Sequence, residues 1–161
     1  MPQVFVAAGS NVDPIVHLRQ ALDELVKSYA PLEISPAYRN KAVGFEGDDF
    51  INMVVGFTTG DSIHQVRRNL QEMEKRCGRP ADSRKWAPRT MDLDILLYDQ
   101  LISDEPCLII PRPDLVRRAY MLKPMVDIAP DVMHPTLHKS MRELWASFDR
   151  DGHEMLQVEL R

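Results

Sequence analysis

Asp92 and Asp94 stand two positions apart in the run Met91-Asp92-Leu93-Asp94-Ile95. An extended strand sends residues i and i+2 to the same face, so the two carboxylates project side by side. Like charges this close repel unless a cation sits between them. Hard oxygen donors in such small number suit Mg2+, which completes its shell with water and substrate phosphates. An isolated Asp-x-Asp is more often just the polar face of a half-buried strand. Here, however, the pair directly follows Trp86-Ala87-Pro88-Arg89-Thr90, and residues 75–89 hold six basic side chains against one acid, a local +5 in a chain of net charge -4. That asymmetry asks for an anionic partner. Arg79, Arg84, Lys85 and Arg89 can clamp a polyphosphate, because guanidinium groups meet phosphate oxygens bidentately and keep their charge. Gly78 and two prolines suit this stretch to a lid, and Trp86 within it can stack on a base or seal a closed site.

Phe50 and Asn52 form a second constellation. On a strand they share one face, which sets an aromatic plane beside an amide that both donates and accepts, a pairing that suits a flat heterocycle. Either residue could instead serve the sheet itself. The histidines offer little. His134 and His138 have the spacing of a helical metal pair, but Pro135 argues against helix there. His17 and His64 fall in amphipathic helices as surface or packing residues. Met53, Met73, Met91, Met121 and Met125 read as core filler.

These residues need elements to hold them. Residues 3–9 form a short β-rich run, followed by Asn11 and Asp13 as capping candidates and Pro14 at a first helical turn. Ile15, Leu18, Leu22, Leu25 and Tyr29 then recur at helical spacing. Residues 32–39 alternate loosely around Pro36, which predicts a strand near an edge. Residues 50–58 alternate cleanly, with Ile51, Met53, Val55 and Phe57 toward the core. Ser62 and Gln65 make a capping-box pattern ahead of the stripe Ile63, Val66, Leu70, Met73 and Cys77, and Gly78 is a natural stop. Residues 91–98 predict a central strand, with Met91, Leu93, Ile95 and Leu97 on one face and Asp92, Asp94, Leu96 and Tyr98 on the other. The order βαββαβ is the ferredoxin-like α+β arrangement: an antiparallel sheet, both helices on one face and the opposite face free for a ligand. Beyond it, a short strand near residues 108–110 and helices near 115–128 and 140–148 are expected.

A length of 161 residues with 44% hydrophobic content predicts one domain over residues 1–161. The N-terminus lacks the layout of a secretory signal, and no apolar run reaches membrane-spanning length. Cys77 and Cys107 fit neither a zinc motif nor a disulfide scaffold, so a cytoplasmic home is expected. The net negative charge disfavours a general nucleic-acid binder.

With these residues in place, the chain from residue 4 to about residue 135 resembles the hydroxymethyl-dihydropterin pyrophosphokinases of folate synthesis. The matching pieces are Ala8-Gly9-Ser10-Asn11, Phe50-Ile51-Asn52, Glu74 with Gly78-Arg79, and the highly specific run from Trp86 through Arg89, Asp92 and Asp94 to Tyr98. The resemblance implies a Mg2+-dependent transfer of pyrophosphate from ATP to 6-hydroxymethyl-7,8-dihydropterin, giving AMP and the pterin diphosphate. It implies that Asp92 and Asp94 hold two magnesium ions and that Arg79 and Arg89 act with them in catalysis. Gln71, Glu74, Trp86, Ile95, Arg112 and Arg118 would complete the ATP site. The pterin would lie between Phe50 and Tyr120, with Asn52 reading its edge and Asn40, Lys41 and Val43 contacting it from the loop that follows. Three positions depart from the family's pattern: Ala81 for a loop arginine, Ala87 for glycine and Arg112 for histidine. A diverged paralogue with weakened activity is one alternative. A ferredoxin-like module for single-stranded RNA is a rival of another class, which Asp92 and Asp94 on the exposed face oppose. No nucleic acid or membrane is expected among the partners, a monomer is favoured while the sequence leaves the oligomeric state open, and no residue suggests itself as general base.

Overall fold

A computed structural model describes residues 1–40, 49–77 and 91–160. Strand β1 (Gln3–Ser10) turns Val4, Val6 and Ala8 to one side and Phe5 and Ala7 to the other. Helix α1 (Pro14–Tyr29) opens on Pro14, whose fixed φ suits a first turn. Asp13 precedes it in the left-handed region, φ 39° and ψ 56°, and makes no side-chain cap, so a tight backbone turn starts this helix. Helix α2 (Ile63–Arg76) starts on Ser62, whose hydroxyl accepts the Gln65 N–H at 3.2 Å. Only half of the expected capping box forms, because the Gln65 side-chain oxygen accepts from Arg68 Nη2 at 2.7 Å instead.

The expected second strand divides at Pro36 into β2 (Glu33–Ile34) and β3 (Ala37–Asn40), both paired with β4 (Phe50–Thr58). Ser35 bridges the break. Its N–H donates to the Val54 carbonyl and its hydroxyl accepts the Val54 N–H at 2.8 Å, so the ladder loses little where proline cannot contribute. The antiparallel sheet runs β5-β1-β4-β3-β8, with β5 (Asp92–Tyr98) at one edge and β8 (Leu156–Val158), which the sequence reading did not foresee, at the other. Helices α1 and α2 cover one face through Leu18, Leu25, Val66, Leu70 and Met73, packed on Ile51, Met53, Val55 and Phe57. The ferredoxin-like core is therefore as expected.

Four expectations are corrected. Strand β5 is an edge strand, not a central one: among the described residues its one partner in the main sheet is β1. Its alternation also slips, because Leu96 is an extra residue between the pairs Val6↔Ile95 and Phe5↔Leu97. This bulge sends Leu97, with Leu96, to the far face, while Tyr98 packs toward α1 and α2. Nor is the far face free. A 3-10 turn (Pro113–Val116), α3 (Ala119–Ile128) and α4 (Met141–Ala146) bury Phe5, Val54, Leu96 and Leu97 beneath Leu115, Met121, Leu122 and Met125. The expected helix over 115–128 breaks near Arg117, where the backbone passes from the 3-10 turn into α3. The strand expected near 108–110 is β7 (Leu108–Ile110), which hairpins with β6 (Ser103–Glu105) outside the main sheet.

Candidate active site

The uncovered end of the far face is shaped by what its central strand lacks. Gly9 of β1 stands opposite Asp92 on one side and Asn52 on the other, and Ala7 stands opposite Asp94 and Val54. Two small residues thus floor a trough with carboxylates along one wall and an amide along the other. A Cβ on Gly9 would collide with Asn52 Oδ1. The Asn52 amide donates to Asn40 Oδ1 at 2.7 Å in a buried contact, which fixes its plane. The cavity so formed, about 230 Å³, is also lined by Phe50, Arg112, Asp114 and Tyr120. Burial raises the Tyr120 phenol above its ordinary pKa, with Arg118 working in the opposite direction. Asp92 and Asp94 are half-buried, as the outward row of an edge strand should be.

A second cavity of about 380 Å³ lies between α2, the outer edge of β5 and the β6–β7 hairpin. Gln71, Glu74 and Ile95 line it, together with Arg67, Cys107 and Ile109. Glu74 also has a structural task, because its Oε2 accepts the Leu93 N–H at 2.9 Å and ties α2 to β5. Asp94 and Arg112 are the two residues that line both cavities. Arg112 sits between Pro111 and Pro113, and its N–H donates to the carbonyl of the bulged Leu96 at 3.0 Å. Its Nη1 lies 3.6 Å from Asp94 Oδ1, and its Nε is buried without a hydrogen-bond partner.

Arg118, the residue ahead of α3, lines a larger cavity, about 760 Å³, with Arg39, Asn40 and Tyr120. Lys41, Val43, Arg79, Arg84, Lys85, Trp86 and Arg89 lie outside the described residues, as do Ala81 and Ala87. His134 is buried, and its Nδ1 accepts the Thr136 and Leu137 N–H groups at 3.2 and 3.0 Å, a turn-forming role. Among the described residues no group of three or more His, Cys, Asp or Glu side chains could hold a metal. Two carboxylates on one cavity wall nonetheless fit Mg2+, whose remaining ligands are characteristically water and phosphate. The sequence reading passed over Ala7 and the floor role of Gly9. Their signal is the small-residue run Ala7-Ala8-Gly9 ending an otherwise bulky strand.

A family model described as 7,8-dihydro-6-hydroxymethylpterin-pyrophosphokinase (HPPK) matches residues 5–130. The chain belongs to this family. HPPK relatives named 2-amino-4-hydroxy-6-hydroxymethyldihydropteridine pyrophosphokinase include one from Aquifex aeolicus, 34% identical over 145 residues and covering 89% of this chain and 90% of that protein. One from Pseudomonas aeruginosa is 35% identical over 158 residues, covering 96% of each. Among solved structures, a Plasmodium falciparum HPPK-DHPS crystal structure superposes with TM-score 0.67 at 14% identity, over 92% of this chain and 44% of that one. A further HPPK-DHPS structure gives TM-score 0.71 at 13% identity, over 93% and 43%. At such identities the likeness is one of fold, and this chain spans less than half the length of those solved chains. The HPPK assignment makes the protein a pyrophosphokinase, and hence a transferase.

Proposed function

We propose that this site transfers pyrophosphate from ATP to 6-hydroxymethyl-7,8-dihydropterin in folate biosynthesis, giving AMP and the pterin diphosphate. The observation that carries the reading is the row Asp92–Gly9–Asn52, which sets carboxylates and a pterin-sized polar edge on opposite sides of an open floor. The pterin lies between Phe50 and Tyr120, and Asn52, oriented by Asn40, meets its edge. ATP lies along Gln71, Glu74 and Ile95, so its phosphates reach the junction where Asp94 and Arg112 stand. The hydroxymethyl oxygen bonds to the β-phosphorus as the bridge from that phosphorus to the α-phosphate oxygen breaks, AMP leaves with that oxygen, and the hydroxyl proton is released to water. Catalysis is then mainly positioning and charge neutralisation. Two Mg2+ ions, held by Asp92 and Asp94, supply that neutralisation when bound. Arg79 and Arg89 carry the same task from the basic stretch, and Arg112 offers its unpartnered Nε to a phosphate oxygen. A single cytoplasmic domain acting as a monomer completes the reading. Among the described residues no helix is long and apolar enough to cross a membrane.

The RNA-binding alternative loses ground on one observation: α3 and the 3-10 turn occupy much of the sheet face that bases would need. Incubation with ATP, Mg2+ and hydroxymethyl-dihydropterin tests the proposal, with AMP as the expected nucleotide product. ADP in its place would sink the pyrophosphoryl assignment. Asp92→Ala and Asp94→Ala should each lower turnover by on the order of a thousandfold while the fold persists, since neither side chain belongs to the apolar core. Near-normal turnover in either variant would remove that residue from the metal site.

A further inference from the structure

Arg112 and Asp94 form an ion pair at the boundary of the two cavities. We propose that Arg112 is a built-in counter-ion that competes with the divalent cation for Asp94, so that the site takes up the cation together with the nucleotide and not ahead of it. The inference rests on the reading of Asp94 as a cation ligand.

Four features carry it. The separation of 3.6 Å is longer than a charge-assisted hydrogen bond, so the guanidinium attracts Asp94 without being locked to it. The two side chains are 36% and 33% exposed, which leaves their attraction only partly screened by water. Nε is buried with no partner, so the pairing with Asp94 leaves one donor of the head unsatisfied, and a better acceptor would draw the head away. Finally, two prolines and the Leu96 carbonyl hold the Arg112 backbone, which leaves only the side chain to move.

The physical consequence is an exchange of charges. A cation bound to Asp94 sits about 2 Å from the carboxylate oxygen and so within a few ångströms of the guanidinium, where the two positive charges repel. Without nucleotide, the head stays beside Asp94 and the repulsion lowers cation affinity. A polyphosphate arriving from the groove gives the head oxygen acceptors that also bind the cation, so repulsion gives way to joint attraction. By linkage, whatever the nucleotide adds to cation affinity, the cation adds to nucleotide affinity.

Mn2+ serves as the probe, its binding followed by electron paramagnetic resonance at low salt, with and without a non-hydrolysable ATP analogue. Without nucleotide, Arg112→Met should bind Mn2+ about tenfold tighter than the wild type, and the gap should narrow as salt screens the pair. With the analogue present the advantage should disappear, because the variant has lost its phosphate donor. Arg112→Gln, which keeps a polar head, repeats the test should the methionine variant fold poorly. Equal nucleotide-free Mn2+ affinity in wild type and variants, while Asp94→Asn weakens both, would overturn the counter-ion role alone. If Asp94→Asn changes Mn2+ binding in neither background, the reading of Asp94 as a cation ligand falls and the inference falls with it.

Discussion

Asn52 commits one amide hydrogen to Asn40, and Gly9 is what allows its carbonyl oxygen to lie against β1. Asn52→Ala should therefore weaken pterin binding by about 1–3 kcal/mol and leave ATP binding nearly untouched. Separate calorimetric titrations of the two ligands check this, and equal losses would make Asn52 a structural residue. Gly9→Ala should destabilise the fold by about 1–3 kcal/mol, because the added methyl must displace Asn52, and pterin affinity should fall with it. Denaturant unfolding with unchanged stability would contradict the close approach. Asp92 and Asp94 were legible in the sequence because a period of two is all that placing them on one face requires. Gly9 and Ala7 were not, since their contribution is an absence of side chain that acquires meaning only beside Asp92 and Asn52. The pairing of Arg112 with Asp94 was not legible, because it depends on the tertiary contact that ties the Arg112 N–H to the Leu96 carbonyl.

At the level of elements, alternation and helical stripes located α1, α2, β1, β4 and β5 to within a residue or two, because each buries one continuous face. The failures fall where tertiary contacts decide. An extra residue such as Leu96 leaves no mark in a run of leucines, and β5 reads as central only because both its faces are covered. The turn before α4 makes a sharper test. His134 takes two backbone N–H groups on Nδ1, and burial holds its pKa below the ordinary value, with His138 adding to the shift. The unfolded chain therefore binds a proton first as pH falls, so the stability held above about pH 6.5 is lost below it. The wild type should lose stability between pH 7 and pH 5 relative to His134→Asn, whose side-chain oxygen keeps an acceptor without titrating. Parallel melting curves for the two proteins would refute the assignment.

Across the whole molecule, the layer that half-covers the far face must stay seated for the cavity to keep its wall. Tyr38 of β3 donates its hydroxyl to Asp127 of α3, and Lys123 pairs with the other oxygen of the same carboxylate at 2.5 Å. Burial raises the Tyr38 pKa first, and Asp127 adds to it. A raised acid keeps its proton in the folded state, so its stabilisation is complete below the ordinary phenol value near 10 and is lost as pH rises beyond it. Tyr38→Phe should cost about 1 kcal/mol at neutral pH and flatten the alkaline decline seen in urea unfolding. An unchanged alkaline slope would place that decline on Tyr29 or Tyr120, whose phenols are also raised.

An edge strand ordinarily invites strangers, because its unpaired N–H and C=O groups form a template on which another molecule's strand can zip. On β5 that template is already spoken for by the chain itself. Glu74 takes the Leu93 N–H, and the Arg112 N–H takes the Leu96 carbonyl just where the bulge throws the ladder out of step. Two side-by-side features of the groove beside α2, Glu74 and the Arg112 backbone, thus occupy hydrogen-bonding groups on the outer flank of β5 that a foreign strand would need.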